Sequence, residues 1–167
     1  MQIEPGMSVA DVGAGTGFFT LMLAEAVGPK GKVYAVDIAP EFLKAIAKRA
    51  EAQGFNNVIT ILGTQKDARI PADKLDRIYI GDTYHHFEYP VTYSKTLRSA
   101  LRSKGQLIVV DFKRIPGISS PWVLGHVRAG KNAFIEEMSI AGLMLIEDLD
   151  FMQTQYFLRL GPSTETH

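Results

Sequence analysis

Short apolar runs alternate with amphipathic segments along the chain as far as residue 112. The apolar runs have the length of buried strands, and they predict strands over Ser8–Val12, Lys32–Asp37, 57–62, 76–80 and 106–112. Between them, apolar positions recur three and four residues apart, which predicts helices over 18–26, 40–53 and 92–101. Strands that alternate with helices are typical of a parallel sheet covered by helices on both faces.

The pattern changes in the last third of the chain. Residues 113–130 contain several prolines and glycines and predict a long loop, which a helix over 132–141 follows. Two closely spaced extended runs, 144–150 and 153–160, predict an antiparallel pair at one edge. We therefore expect an α/β fold: a three-layer sandwich with a mostly parallel, Rossmann-like, seven-stranded sheet and one antiparallel edge strand.

The composition agrees with one globular domain. The chain has 167 residues, of which 46% are hydrophobic and 22% are charged, and this length is enough for a single core. We expect one domain over 1–160 and a polar, frayed tail over 161–167. Eighteen Lys and Arg residues balance 18 Asp and Glu residues, and the net charge of +0 argues against nucleic acid or an acidic membrane as a partner.

The cysteine count and the hydropathy of the chain exclude further classes of protein. The sequence has no cysteine, which excludes disulfides, thiolate metal sites and a cysteine nucleophile. It contains no apolar run near the ~20 residues that span a bilayer, and its first residues lack the pattern of a signal peptide. These features predict a cytoplasmic protein with no membrane partner.

A glycine-rich turn follows the first predicted strand. Gly13, Gly15 and Gly17 occupy alternate positions between that strand and the first helix, so the backbone can turn sharply and approach a ligand. The free N–H groups of the helix start face the same space. Asp37 ends the second strand, where an acid can accept hydrogen bonds from a ribose diol. The combination favours a nucleoside-cofactor site over ordinary turn glycines.

The spacing of the glycines bears on which nucleoside is bound. Phe18 stands where a dinucleotide fingerprint has its last glycine, and this disfavours NAD. Asp11 is a poor neighbour for phosphates, but through water it suits a cationic amino-acid group. An NAD(P)-binding oxidoreductase and a non-catalytic cofactor-binding module remain as alternatives.

Residues 11–17 (Asp-Val-Gly-Ala-Gly-Thr-Gly) resemble the first motif of class I S-adenosylmethionine-dependent methyltransferases, and Val36-Asp37 resembles their second motif. Residues 76–87 and 101–107 resemble strand-four and strand-five motifs of a small-molecule branch of that family. The resemblance implies an enzyme that uses S-adenosyl-L-methionine to methylate a small-molecule acceptor. It implies the following cofactor-binding residues: Asp11, Gly13, Ala14, Gly15, Thr16, Gly17, Asp37, Ile38, Thr64, Asp67 and Asp82.

The sequence departs from the family pattern in two places. Family members often carry an acid directly after the glycine that ends strand three, whereas here Gly63 is followed by Thr64, and we expect Asp67 to substitute near the adenine. Most relatives also have N-terminal helices that cover the active site, and only about ten residues precede the glycine turn here. We therefore expect a homodimer in which the partner covers part of what these helices cover in relatives, with Trp122 and Val123 of the 113–130 loop as an apolar surface. The alternatives are that this loop folds back over its own site, or that a longer native chain supplies the lid.

Histidines are the candidates for the chemistry. His85 and His86 follow strand four, at the sheet edge where parallel sheets bind ligands, and either can position or deprotonate an acceptor. One of them can instead pack or cap the next turn. We assign no metal site, because Phe112 stands where catechol-type relatives have the asparagine that completes their magnesium site. His126 resembles a loop histidine of the same branch.

Overall fold

The computed structural model describes residues 1–163, which form one seven-stranded sheet flanked by helices. The strands are β1 (Ser8–Val12), β2 (Lys32–Asp37), β3 (Val58–Leu62), β4 (Leu75–Gly81), β5 (Leu101–Phe112), β6 (Leu143–Leu149) and β7 (Gln155–Pro162). The helices are α1 (Phe18–Val27), α2 (Pro40–Ala52), α3 (Pro90–Ala100), α4 (Pro121–His126) and α5 (Lys131–Ile140). A short 3₁₀ turn, Tyr84–His86, follows β4.

The order of the strands is β3-β2-β1-β4-β5-β7-β6. The first five strands pair in parallel, and β7 pairs antiparallel to both β5 and β6. The predicted fold class is confirmed: six strands run in one direction and one strand opposes them. The opposing strand is β7, and β6 forms the edge itself.

Each face of the sheet has its own apolar core, because successive strand side chains point to opposite faces. On one face, Val9 and Val33 pack against Leu23 and Val27 of α1. On the other face, the larger cluster includes Leu97 of α3 together with the following buried residues of the sheet and α5: Ala10, Val12, Ile78, Ile80, Leu107, Val109, Phe134 and Met138. These residues are the apolar positions from which the sequence pattern predicted strands and helices.

Strand β5 begins five residues before its predicted start. Residues 101–105 were predicted to end a helix and form a turn, but they extend the strand, and Leu101 pairs with Leu75. The register shifts between Leu75 and Arg77. A Cβ on Gly105 would lie 2.7 Å from the Leu75 carbonyl oxygen, so this glycine permits the close approach of the two strands.

The carboxyl end of the chain also differs from expectation. Strand β7 runs through Pro162, which pairs with Leu143, so the first residues of the expected tail belong to the sheet. Residues 164–167 lie outside the described residues. None of the helices within 1–163 is long and apolar enough to cross a membrane.

The topology places a ligand crevice between β1 and β4. The chain leaves β1 towards β2 on one side and reaches β4 on the other side, so the connections diverge above the carboxyl ends of these strands. Open parallel sheets bind ligands at such a point. The glycine turn after β1, Asp37 after β2 and the 3₁₀ turn after β4 all lie at this edge.

Candidate functional site

The three glycines of the turn after β1 all have positive φ angles: 71° at Gly13, 49° at Gly15 and 78° at Gly17. Their surroundings differ. A Cβ on Gly13 would lie 2.2 Å from Cγ2 of Thr83, and a Cβ on Gly17 would lie 2.5 Å from Cγ1 of Ile46. A Cβ on Gly15 would meet no atom closer than 3.9 Å. Gly13 and Gly17 therefore permit close packing of protein, whereas Gly15 faces open space.

Asp37 is held in place by two backbone donors at the end of β2. The Gly15 N–H donates to its Oδ2 at 2.9 Å, and the Ala39 N–H donates to its Oδ1 at 2.9 Å. A carboxylate oxygen accepts more than one hydrogen bond, so both oxygens keep capacity for further donors. The arrangement presents a fixed pair of acceptors next to Gly15, as a ribose diol requires.

A cleft of about 530 Å³ opens over these groups. Seven of the residues that line this cleft were predicted as site residues: Gly13, Gly15, Asp37, Ile38, Thr64, Asp82 and His86. Five others line it and were not predicted: Phe42, Gln65, Thr83, Phe87 and Tyr93. Gln65 directly follows Thr64 in the turn after β3, and this place in the sequence could have identified it as a cleft residue. The three aromatic residues come from α2, α3 and the segment between β4 and α3, and only the tertiary structure brings them to the cleft.

Four predicted cofactor residues in or beside the glycine turn do not line this cleft: Asp11, Ala14, Thr16 and Gly17. Ala14 is buried against Ala35 and Ile46. The Thr16 carbonyl accepts a hydrogen bond from the Arg49 guanidinium. These contacts stabilise the turn itself, and a role of the four residues towards the cofactor stays a prediction.

Asp11 is buried beneath the glycine turn, with 3% of its surface exposed. The Thr20 hydroxyl donates to its Oδ2 at 2.6 Å. Burial raises the pKa of this carboxyl to about 6, against the effect of the Thr20 hydrogen bond. Asp11 therefore binds a proton more tightly than an ordinary aspartate does.

Asp67 also lies outside the lining of the cleft, and its polar groups are used in a local turn. Its backbone N–H donates to the Thr64 hydroxyl at 3.0 Å, and its Oδ1 accepts from the Arg69 N–H at 2.7 Å. The structure gives Gln65, rather than Asp67, a place on the cleft wall. The expected contact of Asp67 with the adenine stays a prediction.

His85 lies in the 3₁₀ turn and is paired with Asp111 near the end of β5. The backbone N–H of His85 donates to Oδ2 of Asp111 at 3.0 Å, and its ring Nδ1 lies 2.8 Å from Oδ1. The two residues are 6% and 1% exposed. We assign the proton to Nδ1, because a buried carboxylate accepts hydrogen bonds, and this leaves Nε2 as the free ring nitrogen.

His86 and His126 complete a cluster with His85. The ring centroids lie 4.1 Å apart for His85 and His86, 5.2 Å for His85 and His126, and 5.0 Å for His86 and His126. Burial and the two neighbouring imidazoles lower the pKa of His86. Trp122 stacks on His126 at a centroid distance of 4.5 Å and an interplanar angle of 23°. The loop histidine thus belongs to the same site as the predicted pair.

Asp82 lies at the end of β4 with a φ of 49°, in the left-handed region that non-glycine residues rarely adopt. Its N–H donates to the Val110 carbonyl at 2.9 Å, and its Oδ1 accepts from the Gln155 amide. Burial raises the pKa of its carboxyl. These contacts hold Asp82 on the cleft wall between the glycine turn and the histidines.

Comparison with known proteins agrees with this geometry. A family model described as "Methyltransferase domain" matches residues 3–150. The chain belongs to the class I S-adenosylmethionine-dependent methyltransferases. Demethylmenaquinone methyltransferase of Geobacillus stearothermophilus is 38% identical over 111 residues, which are 66% of this chain and 47% of that protein. Protein-L-isoaspartate O-methyltransferase of Ignicoccus hospitalis is 34% identical over 79 residues, which are 47% of this chain and 37% of that protein.

The matches to these curated methyltransferases cover half of their length or less. Among solved structures, a SAM-dependent methyltransferase from Aquifex aeolicus has the same fold, with a TM-score of 0.83 and 22% identity. The superposition covers 95% of this chain and 83% of that one. S-adenosyl-L-methionine is the cofactor of this methyltransferase family. The cleft fits it, because Gly15 leaves open space beside the anchored carboxylate of Asp37.

Proposed function

We propose that this domain binds S-adenosyl-L-methionine in the cleft over β1 and β4 and transfers its methyl group to a small-molecule acceptor. The observation that carries the proposal is the Asp37 carboxylate, fixed by the N–H groups of Gly15 and Ala39 on the wall of the cleft. His86 lines the same cleft and adjoins the buried pair of His85 and Asp111. The cleft thus joins a cofactor end to an acceptor end.

Methyl transfer from a sulfonium is an in-line displacement, so the protein mainly has to align the two reactants and exclude water. Bound S-adenosyl-L-methionine supplies the electrophilic methyl group. Asp37 accepts hydrogen bonds from the ribose hydroxyls, and the side chains of Phe42, Phe87 and Tyr93 give the cleft apolar walls. The histidines position the acceptor or help remove its proton, with Asp111 holding the ring of His85.

Ligand-induced stabilisation tests the cofactor assignment. The chain is heated with S-adenosyl-L-methionine, with S-adenosyl-L-homocysteine and with NAD(P). At 100 times the dissociation constant, a ligand that binds only the folded state stabilises it by about 2.7 kcal/mol. We expect both adenosyl ligands to raise the melting temperature and NAD(P) to leave it unchanged. The reverse result would point to the oxidoreductase alternative, and binding without turnover of any acceptor would point to a non-catalytic module.

We propose an aromatic hydroxyl compound as the first acceptor class to examine. The relative from Geobacillus is named as a demethylmenaquinone methyltransferase, and this supports the class. The rings of Phe112 and Trp122 provide further support, since they lie 5.5 Å apart and both adjoin the histidine cluster. Release of S-adenosyl-L-homocysteine is measured with a panel of phenols and quinols, and with a peptide that contains isoaspartate. Turnover of the peptide alone would overturn the small-molecule assignment.

Helix α4 lies within residues 113–130, which the sequence pattern predicted to be a loop throughout. We also propose that a second copy of the chain covers this 113–130 loop. Ile118 is 79% exposed and Trp122 is 56% exposed, and these side chains form an apolar surface of the kind that association buries. Val123, expected to be part of that surface, is buried in the chain itself. A cytoplasmic location is likewise our proposal, and the cysteine-free composition supports it.

A further inference from the structure

Three imidazole rings converge at the acceptor end of the cleft. His85 and His86 come from the 3₁₀ turn after β4, and His126 comes from the last position of α4, forty residues further along the chain. One ring nitrogen of each histidine lies within 4.8 Å of those of the other two. Imidazole nitrogen is a preferred ligand of zinc, copper, nickel and iron in proteins.

The environment of His85 is that of a metal ligand. Its Nδ1 is engaged by the buried carboxylate of Asp111, at 2.8 Å from Oδ1, which leaves Nε2 with a free lone pair. Ligating histidines almost always pass their other N–H to a carboxylate or a carbonyl, which fixes the ring and raises its basicity. A second hydrogen bond, from the His85 backbone N–H to Oδ2 of Asp111, holds the pair together.

The other two rings are free to bind. His86 and His126 are exposed, and within residues 1–163 neither ring donates a hydrogen bond to a protein group or accepts one from it. Three nitrogens bound tetrahedrally to a zinc ion at ~2.0–2.1 Å lie roughly 3.3 Å apart. The ring nitrogens already lie within 4.8 Å of one another, and two of the three rings belong to exposed side chains, which are free to rotate towards this spacing. Trp122, stacked on His126, limits the orientations of that ring.

We propose that His85, His86 and His126 form a three-histidine site for a divalent metal ion of the first transition row, such as Zn²⁺. The fourth coordination position is open, as in catalytic zinc sites, and takes water or a heteroatom of a bound acceptor. Because His86 also lines the cleft, the ion lies at its acceptor end. The site refines how the histidines position an acceptor and leaves the assignment of the cofactor end unchanged.

Metal binding is measured on the full chain without an affinity tag, after removal of metal by a chelator. Co²⁺ is titrated into the protein, and the visible d–d absorption reports both stoichiometry and four-coordinate geometry; Zn²⁺ then displaces it. We expect one ion per chain. Uptake of less than half an equivalent of Co²⁺ per chain would overturn the proposal. So would binding that shows only the weak absorption of octahedral Co²⁺.

Variants assign the ligands. His126→Ala removes an exposed ligand, and we expect it to lower the affinity for Co²⁺ by more than 100-fold. Asp111→Asn keeps the shape of the supporting side chain, and we expect a loss of roughly 10–100-fold. His167→Ala removes the one histidine of the sequence outside the cluster and serves as the matched control, with unchanged affinity expected. Co²⁺ binding that survives His126→Ala, or that depends on His167, would contradict the assignment.

The metal proposal and the proposed function fail separately. Calorimetry with S-adenosyl-L-methionine on the metal-free chain tests the cofactor end alone, and the Co²⁺ titration without cofactor tests the histidines alone. Cofactor binding without metal binding removes only the three-histidine site. Metal binding without cofactor binding removes the proposed function and leaves the metal site in place.

Discussion

Nδ1 of His85 lies 2.8 Å from Oδ1 of Asp111, and both side chains are buried. Asp111 ends the run of buried residues in β5, while His85 lies in the turn after β4, so two neighbouring strands bring the pair together. The contact fixes the orientation and tautomer of the ring and leaves Nε2 free of the carboxylate.

We expect His86→Ala to lower turnover by roughly 10²–10⁴-fold, the contribution of a positioned acid–base group. The affinity for S-adenosyl-L-methionine should change little, because the proposal assigns the anchoring of the cofactor to Asp37 and not to His86. Turnover and calorimetry are compared with those of the His167→Ala control. Full activity in His86→Ala and in His85→Ala would return both histidines to a purely structural role.

Gly15→Ala should abolish cofactor binding and keep the fold. The substitution places a methyl group in the open space beside Asp37 and forces a φ of 49° on a residue with a Cβ, at a cost of ~1–2 kcal/mol. Gly54→Ala is the matched control, since Gly54 has a φ of 76°, no atom within 4 Å of its Cβ position and no place in the cleft. Both variants should lose similar stability in urea. Equal cofactor affinities for the two would contradict the role of Gly15.

Asp37→Ala should weaken S-adenosyl-L-methionine binding by on the order of 1–3 kcal/mol, the cost of losing the partner of a buried polar group. The variant also frees the N–H groups of Gly15 and Ala39. Asp67→Ala removes a carboxylate that accepts only from the Arg69 N–H within residues 1–163, and we expect it to leave affinity within a factor of three. Calorimetry compares the two. A larger loss for Asp67→Ala than for Asp37→Ala would restore Asp67 as a cofactor contact.

The contribution of Asp11 to the free energy of unfolding should fall as the pH rises from about 4 to about 6. Burial raises the pKa of Asp11 from 3.8 to about 6, so the folded chain binds a proton in this interval that the unfolded chain has released. The penalty of the charged form is complete by about pH 7 and amounts to on the order of 3 kcal/mol.

Urea unfolding of Asp11→Asn checks this dependence. The variant should be more stable than the parent at pH 7.5 and similar to it at pH 4, because it cannot ionise. The sign of the difference is the decisive observable. A gain in stability for the parent relative to the variant between pH 4 and pH 7 would show that Asp11 is stabilised as the anion.

The chain should form a dimer at micromolar concentration, with about twice the 18.4 kDa mass of one chain in light scattering behind a sizing column. Ile118→Ser reduces the exposed apolar surface of the 113–130 loop and should shift the mass towards the monomer. Ile140→Ser changes an isoleucine of α5 that is 59% exposed, and the dimer should persist. A mass near 18 kDa for the parent chain, with and without cofactor, would contradict the dimer.

Local pattern was sufficient to predict most of the sheet. The buried strands β1 and β2 match their predicted bounds, because each is an apolar run with a turn on either side. The start of β5 was missed, since Ser103-Lys104-Gly105 has the composition of a turn and only the pairing of Leu101 with Leu75 makes it strand. Pairing across the sheet is a tertiary effect, and no local window contains it.

The residues of the candidate site are likewise of two kinds: those that local sequence predicts and those that only the tertiary structure brings there. Gly15 and Asp37 were predictable because a glycine turn and a strand-end acid carry a spacing that the chemistry requires. Tyr93 and Phe42 read as ordinary helix residues, and only the packing of α2 and α3 brings them to the cleft. The place of His126 beside His85 depends on the path of a long loop, and residue spacing says nothing about it.

The chain has a single tryptophan, and that indole stacks on His126. All tryptophan fluorescence of the protein therefore arises from one position beside the acceptor end of the cleft. A paramagnetic ion such as Co²⁺ or Cu²⁺ on the histidines should quench the emission, whereas Zn²⁺ should shift it without quenching. The protein thus carries its own optical reporter, and acceptors can be screened by titration without a label or a prior assay of turnover.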